Sequence, residues 1–206
     1  MTDAQRGLAR AVRVMNRLRS PGGCPWDAEQ THGSLAKYLI EEAYEAVDAI
    51  GSGDREHLKE ELGDVLLQVL FHARIATEHD EDPFGIDDIA ETLCEKLERR
   101  HPHVFGDTAV SGADEVNANW ETIKAAEKQR SGPYDGITWS APALAVASAV
   151  VRRERRTDDE LRIDASDTNG QIAADLLTVV RRADALGIDP ETALRAALRA
   201  ATGPAE

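Results

Sequence analysis

Aromatic residues are scarce in this chain: Phe, Tyr and Trp make up 4% of its 206 residues. Ala, Leu and Val must therefore supply most of the apolar mass, and that mix favours helices over sheets. Cysteine is nearly absent. Cys24 and Cys94 lie far apart and form no CxxC pair, which excludes a disulfide framework and a thiolate zinc site. Positive charge is short, with 24 Lys and Arg against 38 Asp and Glu and a net charge of −14. A nucleic-acid backbone calls for dense basic charge, so a polymeric nucleic acid is not an expected partner. An acidic surface suits a protein that collects cations. No apolar run approaches the roughly 20 residues of a membrane span, and "MTDAQRGLAR" has no secretory apolar core. The expectation is a cytoplasmic protein with no membrane partner. The acidity is uneven: residues 1–130 hold 26 acids and 15 bases, whereas residues 131–206 hold 12 and 9.

What the chain has in quantity is helical periodicity. A stripe of Leu8, Val12, Met15 and Leu18 predicts a first helix over about 3–18, ended by the loop-like "RSPGGCPWD". A second is expected over about 31–50 and a third over about 55–78, the latter N-capped by Asp54 after "GSGD". Further helices are expected over about 87–100, 114–129, 144–155, 171–186 and 191–200. Pro102 stops the fourth, and a polar gap precedes Gln171. No useful alternating pattern suggests a strand. The class is all-α, a helical bundle, with a domain at 1–130 and, beyond the "RSGPYDGITWSAP" linker, a second segment at 131–206. A faint repeat links the two. "DVLLQVL" (64–70) resembles "DLLTVVR" (175–181), and "GIDDIAETL" (85–93) resembles "GIDPETALR" (187–195). In that register Ile172 replaces Glu61 and Leu198 replaces Lys96, while Asp175 keeps the acid of Asp64. The stretch before Gln171 looks too short for another acidic helix.

The acids of the second and third helices stand out. Glu41, Glu45 and Asp48 fall at i, i+4 and i+7, and Glu42 borders the same face. Alone, they would form a solvated face on an amphipathic helix whose other side carries Leu39, Ile40, Ala43, Val47 and Ile50. The third helix changes the balance. Leu58, Leu62, Val65, Leu66, Leu67, Val69, Leu70, Phe71 and Ile75 leave it no wide polar face, so it should lie at a bundle centre. Glu61 and Asp64 are set among them. Buried carboxylates are costly unless compensated, and Lys59 and Arg74 are too few to neutralise this group. A divalent cation is the economical compensation, and an oxygen-only donor set suits Mg2+ or Mn2+. Gly63, unfavourable in a helix interior, would let a neighbouring helix come close.

Carboxylate-bound Mg2+ with open positions commonly meets phosphate, which also needs cations. Lys96 and Arg100 stand at i, i+4 beside Arg99, and Trp120 and Lys124 stand at i, i+4 in "NWETIK". The arginines also fit an ordinary role at a helix C-terminus. Trp120 and Lys124 fit either base stacking with phosphate contact or plain core packing with a solvated Lys. "CPWD" fits either a loop pinned over the core or a lid.

The blocks "CPWDAEQTH" (24–32), "EEAYE" (41–45), "EELGDVLLQVLFHA" (60–73), "KLERRHPHVFGD" (96–107) and "NWETIK" (119–124) together resemble the MazG family of nucleoside triphosphate pyrophosphohydrolases over about residues 8–130. Five blocks in order are specific, where the EExxE or ExxD pattern alone is weak. The resemblance implies an all-α bundle completed by homodimerisation and Mg2+-dependent hydrolysis of a nucleoside triphosphate to the monophosphate and pyrophosphate. It implies metal ligation by Glu42, Glu45, Glu61 and Asp64, with Glu41 orienting or deprotonating the attacking water. It assigns Lys96, Arg100 and Lys124 to phosphates and Trp120 to the nucleoside. A housecleaning or stress-related role goes with the family. The chain departs from the long family members in its tail, which resembles a second domain stripped of its acids and lysine.

Two rival classes follow from the same residues. A non-catalytic helical interaction module would leave the acids solvated. A di-iron bundle would need Glu-x-x-His pairs; "EQTH" (29–32) and "ERRH" (98–101) supply them, but at helix ends.

Overall fold

The computed structural model describes residues 3–127, 132, 134–155 and 161–202. Among these the regular structure is helical, with no strand. Ten helices occur: α1 (Asp3–Arg19), α2 (Pro25–Glu29), α3 (His32–Ser52), α4 (Arg55–Ala76), α5 (Ile86–Arg100), α6 (Pro102–Phe105), α7 (Ala113–Glu127), α8 (Ala143–Glu154), α9 (Thr168–Ala185) and α10 (Pro190–Thr202). The expected end of the fifth helix at Gln129, the start of the linker and part of the polar gap before Gln171 lie outside the described residues. The chain divides into two compact units, Met1–Val116 and Asn117–Glu206. The second unit thus begins within α7, inside the 1–130 stretch that the sequence groups together.

In the first unit, local chemistry builds a helical hairpin. Thr31 caps α3: its Oγ1 accepts from Ser34 N at 3.1 Å, while Ser34 Oγ accepts from Thr31 N at 2.9 Å. This reciprocal pairing satisfies donors that the first turn leaves open. Gly53 ends α3 at φ +72°, a left-handed conformation that costs glycine little. Asp54 Oδ1 then accepts from Glu56 N at 2.9 Å and His57 N at 3.2 Å and starts α4. Gly53 and Asp54 therefore turn the chain back on itself. Leu35 of α3 clusters with Leu70 and Phe71 of α4 and Met15 of α1, and Ala46 and Ala49 are buried farther along α3. Arg19 ties the end of α1 to that of α4 through two hydrogen bonds to the Glu78 carboxylate, at 3.0 and 2.9 Å. Those bonds, ahead of the charges of Arg19 and Arg74, hold Glu78 below the usual carboxylate range.

Three expectations need correction. "CPWD" is not all loop: Pro25 opens a short helix, and Trp26 sets its ring edge-on to Tyr38 and Phe71, each at 6.2 Å. Proline suits a first helical position, where an N–H would have no helical partner. The apolar stripe of α3 does not face the chain's own core. Leu39, Ile40, Val47 and Ile50 are exposed, as are Leu62 and Leu66 of α4. Helix α4 is therefore not enclosed on all sides within one chain. A Cβ at Gly63 would meet open space, so this glycine serves no close approach among the described residues.

In the second unit, Val151 of α8 packs with Leu177 and Val180 of α9. Helix α8 occupies the span expected for a helix over about 144–155, and it pairs with α9. Where α3 carries acids, α8 offers Glu154, which Arg181 neutralises through hydrogen bonds of 3.1 and 2.8 Å. Asp175, the repeat's counterpart of Asp64, is exposed.

Candidate metal centre

The hairpin brings the second half of α3 against the first half of α4. Glu42 and Glu45, one turn apart on α3, meet Glu61 of α4, and one carboxylate oxygen from each lies within 4.8 Å of the others. Glu61 is buried, Glu42 half-buried and Glu45 exposed. The cluster thus runs from the helix interface out to solvent. Asp64, half-buried one turn along α4, falls outside that 4.8 Å group, but its charge reaches Glu42. Burial first, then the charges of Asp64 and Glu45, the hydrogen bond with Glu45 and the charge of Glu61 push the Glu42 carboxyl above its ordinary value. Like charges held this close disfavour the ionised form, so the raised pKa and the geometry express the same crowding.

The compensating charge is sparse. Among the described residues no Lys or Arg forms an ion pair with any of the four acids. Lys59 turns to Glu56, and Arg74 turns to Glu78 at 2.8 Å. Among the described residues the one basic contact is His57, whose Nε2 lies 3.0 Å from Glu61 Oε1. The other oxygen, Glu61 Oε2, is buried without a hydrogen-bond partner. A buried acceptor left open is costly, and an all-oxygen, anionic donor set with an open lone pair fits a hard divalent cation.

The remaining candidates are placed as follows. Glu41, beside Glu42 in sequence, is exposed and outside the cluster. Lys96 and Arg100 are half-buried on α5. Trp120 and Lys124 are half-buried on α7, in the part belonging to the second unit. Lys124 lines a cavity of about 250 Å3 there with Thr138, Arg152 and Arg153. A cavity of about 410 Å3 near the far end of α4, lined by Met15, Leu70 and Phe84, contains none of the four acids. The Glu-x-x-His segments stay apart from the carboxylates. His32 Nδ1 instead meets His72 Nδ1 at 2.7 Å, and His101 Nδ1 lies 2.6 Å from the Leu97 carbonyl. His57 is the residue that sequence reasoning passed over; its position one turn before Glu61 was the available signal.

These features define a class: an all-α protein whose polar centre is a carboxylate cluster on two antiparallel helices. Comparisons with known proteins narrow it. Residues 30–105 match the family model described as the MazG nucleotide pyrophosphohydrolase domain. An uncharacterised 26.1 kDa protein of Streptomyces cacaoi is 49% identical over 191 residues, which span 92% of this chain and 77% of that protein. The nucleoside triphosphate pyrophosphohydrolase/pyrophosphatase MazG of Thermotoga maritima is 41% identical over 209 residues, 91% of this chain and 80% of its own length. A Mycobacterium tuberculosis protein named nucleoside triphosphate pyrophosphohydrolase is 49% identical over 156 residues, 75% of this chain but 47% of that longer protein. The chain belongs to the MazG family.

Proposed function

We propose that this protein hydrolyses nucleoside triphosphates, cleaving between the α and β phosphates to give the nucleoside monophosphate and pyrophosphate, and that it does so with Mg2+. The observation carrying this reading is the convergence of Glu42, Glu45 and Glu61 within 4.8 Å, with Asp64 acting on Glu42. The family and the names of the relatives support the reaction class. Glu42, Glu45, Glu61 and Asp64 are the residues that would hold the ion. Bound there, Mg2+ would polarise phosphoryl oxygens and acidify a water. Glu61 anchors the arrangement from the buried side, and Glu45 presents its carboxylate at the solvent edge, where a triphosphate tail enters. Glu41, exposed and outside the cluster, would on this reading orient or accept a proton from the attacking water. Lys96 and Arg100, in the same unit as the acids, would meet the phosphates and offset their charge; for Lys124 toward phosphate and Trp120 toward the nucleoside, the family resemblance is the support.

The exposed apolar stripes of α3 and α4 are read as the face on which a second copy docks to complete the bundle. Residues 141–206 are read as a structural remnant, since the acids of the first unit are replaced there by the Glu154–Arg181 pair. A cytoplasmic, housecleaning role toward aberrant or oxidised nucleotides is the biological setting proposed. No described helix is long and apolar enough to cross a membrane. The test is pyrophosphate release from a panel of NTPs and dNTPs, oxidised forms included, with and without Mg2+. Turnover that needs Mg2+ is expected. A folded protein that releases pyrophosphate from none of them would overturn the reading.

A further inference from the structure

His57 stands outside every residue block that carries the family resemblance, yet it touches the most buried acid of the cluster. Its Nε2 lies 3.0 Å from Glu61 Oε1. A ring nitrogen in contact with a carboxylate oxygen must donate, so this tautomer or the protonated ring carries the hydrogen on Nε2. The contact consumes one of Glu61's two oxygens. The other, Oε2, is buried and accepts nothing. The pair is positioned by the backbone. Asp54 caps α4 through Glu56 N and His57 N, at 2.9 and 3.2 Å, so His57 lies in a turn whose start is fixed. Glu61 follows exactly one helical turn later in the i, i+4 relation. A carboxylate held at one oxygen has lost most of its freedom to rotate about its terminal torsion. It therefore offers the second oxygen in one direction, and one carboxylate oxygen of Glu61 lies within 4.8 Å of oxygens of Glu42 and Glu45.

We propose that His57 is a positioning residue for the divalent cation: it holds Glu61 by Oε1 so that Oε2 is left to bind the ion. The inference rests on the metal reading of the carboxylate cluster. Hydrogen bonds from such outer partners fix the orientation of metal-binding side chains, and their loss typically weakens metal affinity about 10–100-fold. An ordinary surface pair on a helix would have no such effect. His57 keeps 45% of its side-chain surface exposed, whereas Glu61 keeps 11%. Substitution of His57 therefore opens no cavity.

The test uses the full-length protein and Mn2+ alone, with binding followed by the electron paramagnetic resonance of the free ion and by calorimetry. His57→Ala is expected to weaken Mn2+ binding about tenfold or more, and to raise in parallel the Mg2+ concentration needed for half-maximal pyrophosphate release. His57→Gln, whose amide donates from a similar reach, is expected to recover most of the affinity. An unchanged Mn2+ affinity in H57A would overturn the inference. Equal weakening in H57A and H57Q would also overturn it, because the donor would then not be what matters. Should the wild-type protein bind no Mn2+, the metal reading itself fails and takes this inference with it. Melting curves in EDTA check folding, and His57→Ser, too short to reach Oε1, replaces H57A if that variant unfolds.

Discussion

Removing Glu45 should make the metal-free protein more stable and the enzyme nearly inactive. Glu45 is exposed, so Glu45→Ala leaves no cavity and strands no buried donor. It does remove one negative charge from a group whose oxygens lie within 4.8 Å of one another. Two unit charges that close repel by about 3–4 kcal/mol at an effective dielectric of about 20. Solvent around Glu45 reduces this, leaving a gain of about 1 kcal/mol at neutral pH in EDTA. The pH dependence carries the same signature. Folding raises the Glu42 pKa above its ordinary 4.5. Stability from a raised group is complete below the unfolded value and is lost as pH climbs through the folded one. Metal-free wild type should therefore weaken as pH rises from below about 4.5 through the raised value. E45A, which has lost both the charge and the hydrogen bond of Glu45, should weaken less. Mg2+ at about 100 times its dissociation constant should stabilise the wild type by about 2.7 kcal/mol and E45A much less. Pyrophosphate release should fall about a hundredfold or more, because the proposed metal site would lose a ligand. Urea melts with EDTA or Mg2+, run beside the turnover assay, supply all four readings. If metal-free E45A proves less stable than wild type, or keeps activity within about tenfold, the crowded-carboxylate argument is wrong.

Asp64→Ala should also lose activity by about a hundredfold, and it should lower the Glu42 pKa toward its ordinary value, measurable by NMR titration of that carboxyl in metal-free protein. Arg181→Leu removes the hydrogen bonds of Arg181 to Glu154 and to the Leu161 carbonyl, the last at 2.9 Å. With Arg181 30% exposed, the expected loss is about 2 kcal/mol, read by urea denaturation. The Arg181 hydrogen bond is the main cause holding Glu154 below 4.5. The wild type's share of stability from this pair is therefore lost as pH falls below about 4.5 through the depressed value, and R181L should show a flatter acid limb. Ile40→Asp puts a charge on an exposed apolar stripe where Ile40 is 58% accessible. It should convert a dimer to a monomer in sedimentation equilibrium; a wild type that is already monomeric, or a variant that still dimerises, would refute the docking face.

The carboxylates show what a sequence can signal by itself. Glu61 and Asp64 sit in a stretch of Leu, Val and Phe, and the cost of a buried acid is a local property of that composition. Their pairing with α3 followed from the same cost. Choosing among neighbours was another matter. Spacing placed Glu41, Glu45 and Asp48 on one stripe with Glu42 at its border, whereas the structure turns Glu42 inward and leaves Glu41 exposed. The rotation of a helix about its own axis depends on which side its partner occupies, and here Leu35, Ala46 and Ala49 face the interior in place of the larger Ile40, Val47 and Ile50. A periodic pattern reveals that a face is apolar without saying what covers it.

The sequence by itself determined the long helices, the Asp54 cap and the acid-rich chemistry of the first unit, because these depend on residues within a few turns of one another. Only the tertiary structure decided which carboxylates meet, that His57 takes one oxygen of Glu61, and that Glu154 is neutralised by Arg181. Those outcomes depend on the azimuth and register of one helix against the next, which arise from packing between segments distant in the chain.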